Sequence, residues 1–260
     1  MKISIIIPAY NEEERIGKTL EEYSKFLRDK KKSKDIKDFE IVVVLNGCKD
    51  NTLGIVNEYQ KKFKEIITIN LPQGGKGFAV ITGFKEALKR ENDLIGFVDA
   101  DMATPPQSFF DLIKNIGYYD GAIASRGLKE SSVETSVSRK ITNRGFNFLV
   151  KVFLFLPYRD TQCGAKIFKR EALKNVINDI GITKWAFDVD LLYKLKRKGF
   201  KIKEIPTIWY DKAGSKVEAG KISRVSIQML LAIIRLRILY SPFKGMVKIY
   251  DKMSNGTKKA

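Results

Sequence analysis

A chain of 260 residues, 44% of them apolar, has the size of one domain and needs no disulfide framework to bury a core. Its 48 Lys and Arg against 30 Asp and Glu leave a net charge of +18, which favours phosphorylated small molecules, an anionic membrane surface or nucleic acid as partner. With no histidine, Ser/His and Cys/His catalysis and imidazole metal sites are excluded, and the two cysteines, Cys48 and Cys163, read as packed thiols.

The opening MKISIIIPAYNEEE is apolar too briefly for a signal peptide, so a peripheral protein on the cytoplasmic face of a membrane is expected. Four compact runs rich in β-branched residues, Ile3 to Pro8, Glu40 to Leu45, Ile66 to Leu71 and Leu94 to Val98, read as buried parallel strands. Stretches of helical period lie between them, with Ile16, Leu20, Tyr23 and Leu27 marking the first and Phe78, Ile81, Phe84 and Leu88 the third. Arg28 to Asp38 reads as a charged loop.

After Ser125 the pattern loosens. An amphipathic stretch from Ser138 to Phe155, a strand around Cys163 to Phe168, a helix from Phe187 to Lys198, a strand near Phe200 to Trp209 and a helix from Ile222 to Tyr240 follow. The expected organisation is an α/β domain over 1–221, an amphipathic membrane-associating segment over 222–250 and a solvated tail over 251–260. The apolar stretches Phe146 to Pro157 and Val225 to Tyr240 fall short of the ~20 residues a spanning helix needs.

Strands alternating with helices imply a mainly parallel sheet whose ligands sit beyond the carboxyl ends of the strands. The first strand delivers Pro8, Tyr10 and Glu12 there, and the fourth delivers Asp99, Ala100 and Asp101. Strand alternation would turn both aspartates to one side, where they suit a hard divalent cation shared with a diphosphate. Gln73 to Gly77 (QGGKG) enters a helix as a phosphate-cradling backbone does, but its spacing is not that of a P-loop ATPase.

In order, IIIPAYNEE, EIVVVLNGCKDNT, QGGKGFAVITGF and FVDADMATPP resemble family 2 glycosyltransferases, whose fold is the nucleotide-sugar-binding GT-A domain. Farther on, SRGL, the Arg139 region, DTQCGAKIF, WAFDVDLL and IPTIWYDKAGSKV resemble the dolichyl-phosphate β-glucosyltransferase branch, which is close to the dolichyl-phosphate mannosyltransferases.

The resemblance implies an inverting transfer of a hexose, glucose from UDP-glucose first, from a nucleotide-diphospho-sugar donor to dolichyl or another polyprenyl phosphate. A GDP-mannose or another UDP-sugar donor is the alternative. By position, Pro8, Tyr10 and Glu12 would line the nucleoside pocket, Asn46 and Asp50 its second wall, and Lys76 and Ala100 would lie beside the nucleotide. Asp99 and Asp101 would hold Mg²⁺ or Mn²⁺, Arg126 and Arg139 would face the diphosphate and the acceptor phosphate, and Lys216 would lie in a segment that folds over the donor. Asp188 would orient sugar hydroxyls or basic side chains.

The chain departs from the family at Leu45 and Asn46, where two aspartates are usual, and at Ala103, where the mannosyltransferase relatives carry Gln. Asn46 still offers the donor and acceptor that a uracil imide needs. These departures also fit a catalytically silent homologue that binds nucleotide or membrane. A nucleic-acid-binding protein would explain the charge, but no recognised module is present. The basic residues of Ser223 to Tyr240, with Arg224, Arg235 and Arg237, suit a helix lying on an anionic bilayer.

Overall fold

The computed structural model describes residues 1–181, 186–211, 231 and 233–241. In chain order the elements are β1 (Lys2–Ala9), α1 (Ile16–Lys32), β2 (Asp38–Asn46), α2 (Thr52–Lys62), β3 (Ile66–Leu71), α3 (Lys76–Lys89), β4 (Leu94–Val98), α4 (Pro106–Asn115) and β5 (Gly121–Ser125). They continue with β6 (Ser132–Glu134), α5 (Val137–Leu154), β7 (Ala165–Lys169), α6 (Arg170–Val176), α7 (Phe187–Arg197), β8 (Ile202–Pro206) and β9 (Ile208–Tyr210).

Seven strands form one sheet in the order β3-β2-β1-β4-β7-β5-β8, and β6 pairs with β9 in a small second sheet. Every neighbour pair in the large sheet is parallel except those of β7, which runs antiparallel to both β4 and β5. Alternation along β1 divides the interior. Ile3, Ile5 and Ile7 pack with Ile16, Leu20, Tyr23 and Leu27 of α1, while Ile6 packs with Ala79, Val80 and Phe84 of α3. On the α3 side Phe97 meets Phe84 and Phe187 edge-on, both with centroids 6.1 Å apart, which ties β4 to α3 and α7 by about 0.5–1.5 kcal/mol each beyond burial.

The chain moves outward from β1 through β2 to β3, and α3 then carries it back to β4 on the other side of β1. Such a reversal opens a crevice at the carboxyl ends of the two strands that flank it, here β1 and β4. The residues that the crevice receives are those following Ala9 and Val98.

Several expectations from the sequence are corrected. Residues Arg28 to Lys32 are not loop but the last turn of α1, where Lys30, Lys31 and Lys32 complement the negative end of the helix dipole. β4 ends at Val98, so Asp99 and Asp101 are placed by a turn, with Met102 at φ 60, and not by strand alternation. The single strand near 200–209 is two, β8 in the large sheet and β9 in the small one, divided at Thr207. Helices α4 and α6 and strand β5 had no counterpart in the sequence reading.

The proposed boundary at 221/222 and the tail over 251–260 lie outside the described residues. Within 233–241, Ile233 and Leu236 are buried in the α3-side core, and Tyr240 donates to Asp190 at 3.2 Å. Among the described residues no helix is long and apolar enough to cross a membrane.

Candidate active site

Three backbone segments meet at the crevice. The first, Tyr10 to Arg15 after β1, is laced to the loop after β2. Glu12 N–H donates to Thr52 Oγ1 at 2.8 Å, Glu13 N–H to Asp50 at 3.2 Å, and Asn51 N–H to the Glu13 carboxylate at 2.8 Å. Asp50 also takes the Thr52 N–H and hydroxyl at 3.1 and 2.5 Å. Burial works against its charge, but these hydrogen bonds outweigh it and hold the carboxyl below its ordinary range. Glu12 forms an ion pair with Arg15 at 2.6 Å. Tyr10 is exposed at the mouth, whereas Pro8 is buried in β1 opposite Val44.

Asn46 ends β2 and is buried. Its Nδ2 donates to Ala9 O at 2.8 Å and its Oδ1 accepts from Gly75 N–H at 3.0 Å. The amide that the sequence reading aimed at a base therefore bridges the end of β1 to the glycine loop. Gly75, at φ 140, is a backbone position suited to glycine and starts α3 at Lys76.

The third segment is the turn Asp99 to Thr104, buttressed by α1: Thr19 Oγ1 donates to Ala100 O at 2.7 Å and Tyr23 OH to Thr104 O at 2.9 Å. Asp99 pairs with Lys76 at 2.5 Å, and Asp101 accepts from Ala103 N–H at 3.0 Å. Burial and the neighbouring Asp99 charge push the Asp101 carboxyl up, the behaviour of two carboxylates that share a site. Desolvation opposes the Lys76 charge, but the carboxylates of Asp99 and Asp188 outweigh it and raise the ammonium above its ordinary value. Among the described residues no three metal-ligating side chains cluster. The donor set is thus two carboxylates, which fits a hard divalent cation that takes its other oxygens from ligand phosphates and water.

Around this centre the structure adds residues that the sequence reading missed. Gly164 O accepts the Asp99 N–H at 3.1 Å. Asp160 takes Arg126 in a fork, Nε at 2.7 Å and Nη2 at 3.1 Å, with Trp209 stacked on the guanidinium at 5.0 Å. Arg139, at the start of α5, pairs with Asp211, and Asp188 pairs with Lys166 at 2.6 Å. A basic residue and a carboxylate far apart in sequence carry no joint signal, so these pairs were invisible before folding. Lys216 lies outside the described residues. Cys163 is buried, which pushes its thiol up to about 11, and both cysteines are free.

The family model described as Glycosyl transferase family 2 matches residues 4–177, which span β1 through α6 and every segment of the crevice. The chain belongs to glycosyl transferase family 2. This family 2 glycosyltransferase is 34% identical over 251 residues to the dolichyl-phosphate beta-glucosyltransferase of Dictyostelium discoideum, covering 92% of this chain and 74% of that one. To the Homo sapiens protein of the same name it is 32% identical over 251 residues, covering 92% and 76%.

Among solved structures it is similar to glucosyl-3-phosphoglycerate synthase from Mycobacterium tuberculosis in complex with Mn²⁺, UDP and glucosyl-3-phosphoglycerate. The TM-score is 0.62 at 18% identity, over 89% of this chain and 79% of that one. It also resembles S. aureus TarS 1-349 in complex with UDP-GlcNAc, with a TM-score of 0.57 at 21% identity over 93% and 68%. These likenesses establish the GT-A fold of the enzyme.

Proposed function

We propose that this enzyme transfers glucose from UDP-glucose to dolichyl or another polyprenyl phosphate, with inversion at the anomeric carbon. The observation that carries the reading is the likeness to dolichyl-phosphate beta-glucosyltransferases over nine tenths of the chain. The crevice supports it. Tyr10 and the loop tied by Asn46 form walls for a nucleoside, and the Asp99–Asp101 turn lies beside the start of α3, where a diphosphate gains from the helix dipole.

Asp99 and Asp101 would hold Mg²⁺ or Mn²⁺, which when bound supplies neutralising charge for the departing diphosphate. Lys76 adds a fixed ammonium beside the same oxygens. A phosphate monoester has its second pKa near ~6, so the acceptor is mostly a dianion at neutral pH and serves as nucleophile without a general base. The absence of histidine is therefore no obstacle. What remains for the protein is to align the acceptor behind the anomeric carbon and to stabilise charge. Arg126, held rigid by Asp160, and Arg139, anchored by Asp211, suit the acceptor side.

A lipid acceptor requires a surface on the membrane, and α5 has the chemistry for one. Val137, Ile141, Phe148 and Val152 are exposed along one face, with Ile141 at 66% and Phe148 at 65%, and the exposed Phe155 follows directly after the helix. The charged residues of the helix, Arg139, Lys140, Arg144 and Lys151, are all basic, which suits an anionic leaflet.

The test is transfer of labelled sugar from UDP- and GDP-sugars to dolichyl phosphate in detergent, with Mg²⁺, Mn²⁺ or EDTA. Metal-dependent labelling from UDP-glucose is the expected result. Labelling from GDP-mannose alone would change the donor, and nucleotide binding without transfer from any donor would overturn the reading.

A further inference from the structure

Lys166 is a lysine with no solvent exposure, placed inside a seven-stranded sheet. It lies on β7 directly opposite Phe97 of β4, and its ammonium rests 5.2 Å from the centre of that ring. It donates to Cys163 O at 2.6 Å and to Asp188 Oδ1 at 2.6 Å. Removing a lysine ammonium from water costs several kcal/mol, and a buried ion pair is often no more stabilising than well-packed apolar side chains of similar volume. Stability alone therefore does not account for a charge at this position.

What the pair accomplishes is geometric. Asp188 stands in the first turn of α7, and Lys166 holds one of its oxygens. No described residue donates a hydrogen bond to the other. Lys76, the partner of Asp99, lies 5.8 Å from the centre of the same Phe97 ring, and the Asp188 carboxylate helps to raise its ammonium. Two ion pairs, Asp99–Lys76 and Asp188–Lys166, thus adjoin one aromatic ring. The shared ring sets the Asp188–Lys166 pair near the Asp99 turn, where the proposed function places the diphosphate.

We propose that Lys166 is a positioning residue for sugar selection, holding Asp188 so that its second oxygen accepts a hydroxyl of the donor hexose. The inference rests on the nucleotide-sugar reading of the site and adds to it the group that selects the sugar. A carboxylate offers several acceptor sites, so engagement by Lys166 leaves capacity for a hydroxyl. A site built to hydrogen-bond a hydroxyl rejects the analogue that lacks it, because its polar group is then left unpaired. Without the ammonium, Asp188 is free to turn toward Lys76, and the discrimination is lost.

The experiment is equilibrium binding of UDP-glucose, of UDP carrying 2-, 3-, 4- or 6-deoxyglucose, and of UDP alone, to wild type and Lys166→Met, together with KM and kcat for UDP-glucose. In the wild type one deoxy donor is expected to bind at least ~10-fold more weakly than UDP-glucose. In Lys166→Met that difference should vanish and the KM for UDP-glucose should rise, while UDP alone binds as in the wild type.

Should the lone Met variant fail to fold, Lys166→Met with Asp188→Asn removes both charges and is expected to bind all the deoxy donors alike. Discrimination retained in either variant, or a wild type that does not distinguish the deoxy donors, overturns the inference. A wild type that binds neither UDP nor UDP-glucose overturns the nucleotide-sugar reading, and the inference with it. A protein that selects among UDP-sugars but transfers none of them overturns only the proposed reaction.

Discussion

The Asp99 carboxylate fills the space that a side chain at position 164 would need: a Cβ built on Gly164 would stand 1.9 Å from Asp99 Oδ2. Because Gly164 O also accepts the Asp99 N–H, the two residues fit only one way. Gly164→Ala is expected to displace the carboxylate and to lower transfer at least ~10-fold, a loss of about 1.4 kcal/mol in transition-state stabilisation. Steady-state assays with increasing Mn²⁺ would report it, and the half-saturating metal concentration should rise. Unchanged activity would mean that Asp99 is not needed where the structure places it.

Asp101→Asn keeps an oxygen for the Ala103 N–H but removes the charge. Turnover should fall at least ~100-fold, equivalent to about 2.7 kcal/mol. EDTA should abolish transfer by the wild type, and added Mg²⁺ or Mn²⁺ should restore it. Full activity in EDTA would remove the metal from the reading.

Asn46 is the strut between two walls of the crevice. Asn46→Ala leaves Gly75 N–H without this partner and Ala9 O to the weaker Cys48 thiol donor at 3.4 Å, at a cost of about 1–3 kcal/mol. The consequence expected is a higher KM for UDP-glucose with a smaller change in kcat, because the loops that form the walls are no longer joined. Isothermal titration with UDP would show whether the loss lies in nucleotide binding. A variant that binds UDP like the wild type would confine Asn46 to folding.

The Arg126–Asp160 fork is almost wholly buried, so breaking it by Asp160→Asn should cost about 3–5 kcal/mol and lower Tm by roughly 10 °C. Burial alone would raise the Asp160 carboxyl, but Arg126 and the backbone N–H groups of Arg126 and Gln162 overcome it and hold the group below its ordinary 3.8. The folded state therefore binds this proton more weakly than the unfolded chain does. The stabilisation is complete above pH 3.8 and is lost as pH falls through the lower folded value. Chemical denaturation from pH 3 to 7 should show the gap between wild type and variant constant near neutrality and narrowing only in acid. A gap independent of pH would contradict the assignment.

For membrane contact, Ile141→Asp with Phe148→Asp places two acids on the exposed face of α5. Sedimentation with vesicles containing anionic lipid should show binding reduced at least ~10-fold, with little change in Tm because both side chains are exposed. Wild-type binding should also weaken as salt rises. Equal binding by the variant would place the contact elsewhere.

The first half of the fold was legible because its elements obey simple periods. The stripe Ile16, Leu20, Tyr23 and Leu27 is buried as expected, and the runs Ile66–Leu71 and Leu94–Val98 are β3 and β4 to the residue. The second half was less legible because β7 runs antiparallel through an otherwise parallel sheet and β9 leaves that sheet after a single residue. Neither event alters the local pattern of apolar residues. The residues of the crevice followed from strand ends, since alternation of strand and helix fixes which end of a parallel sheet receives ligands.

By itself the sequence determined the chemistry available: no imidazole, a surplus of positive charge, and paired aspartates at a strand end in a chain whose ordered motifs belong to one family. Only the tertiary structure decided how these groups are used. It made Asn46 a strut between the end of β1 and the glycine loop, paired Arg126 with Asp160, and set Lys166 against Asp188 across 22 positions of chain. The physical reason is that a charge or an amide takes its role from the partners that desolvation forces upon it. Those partners come from strands and helices that meet only when the sheet is assembled.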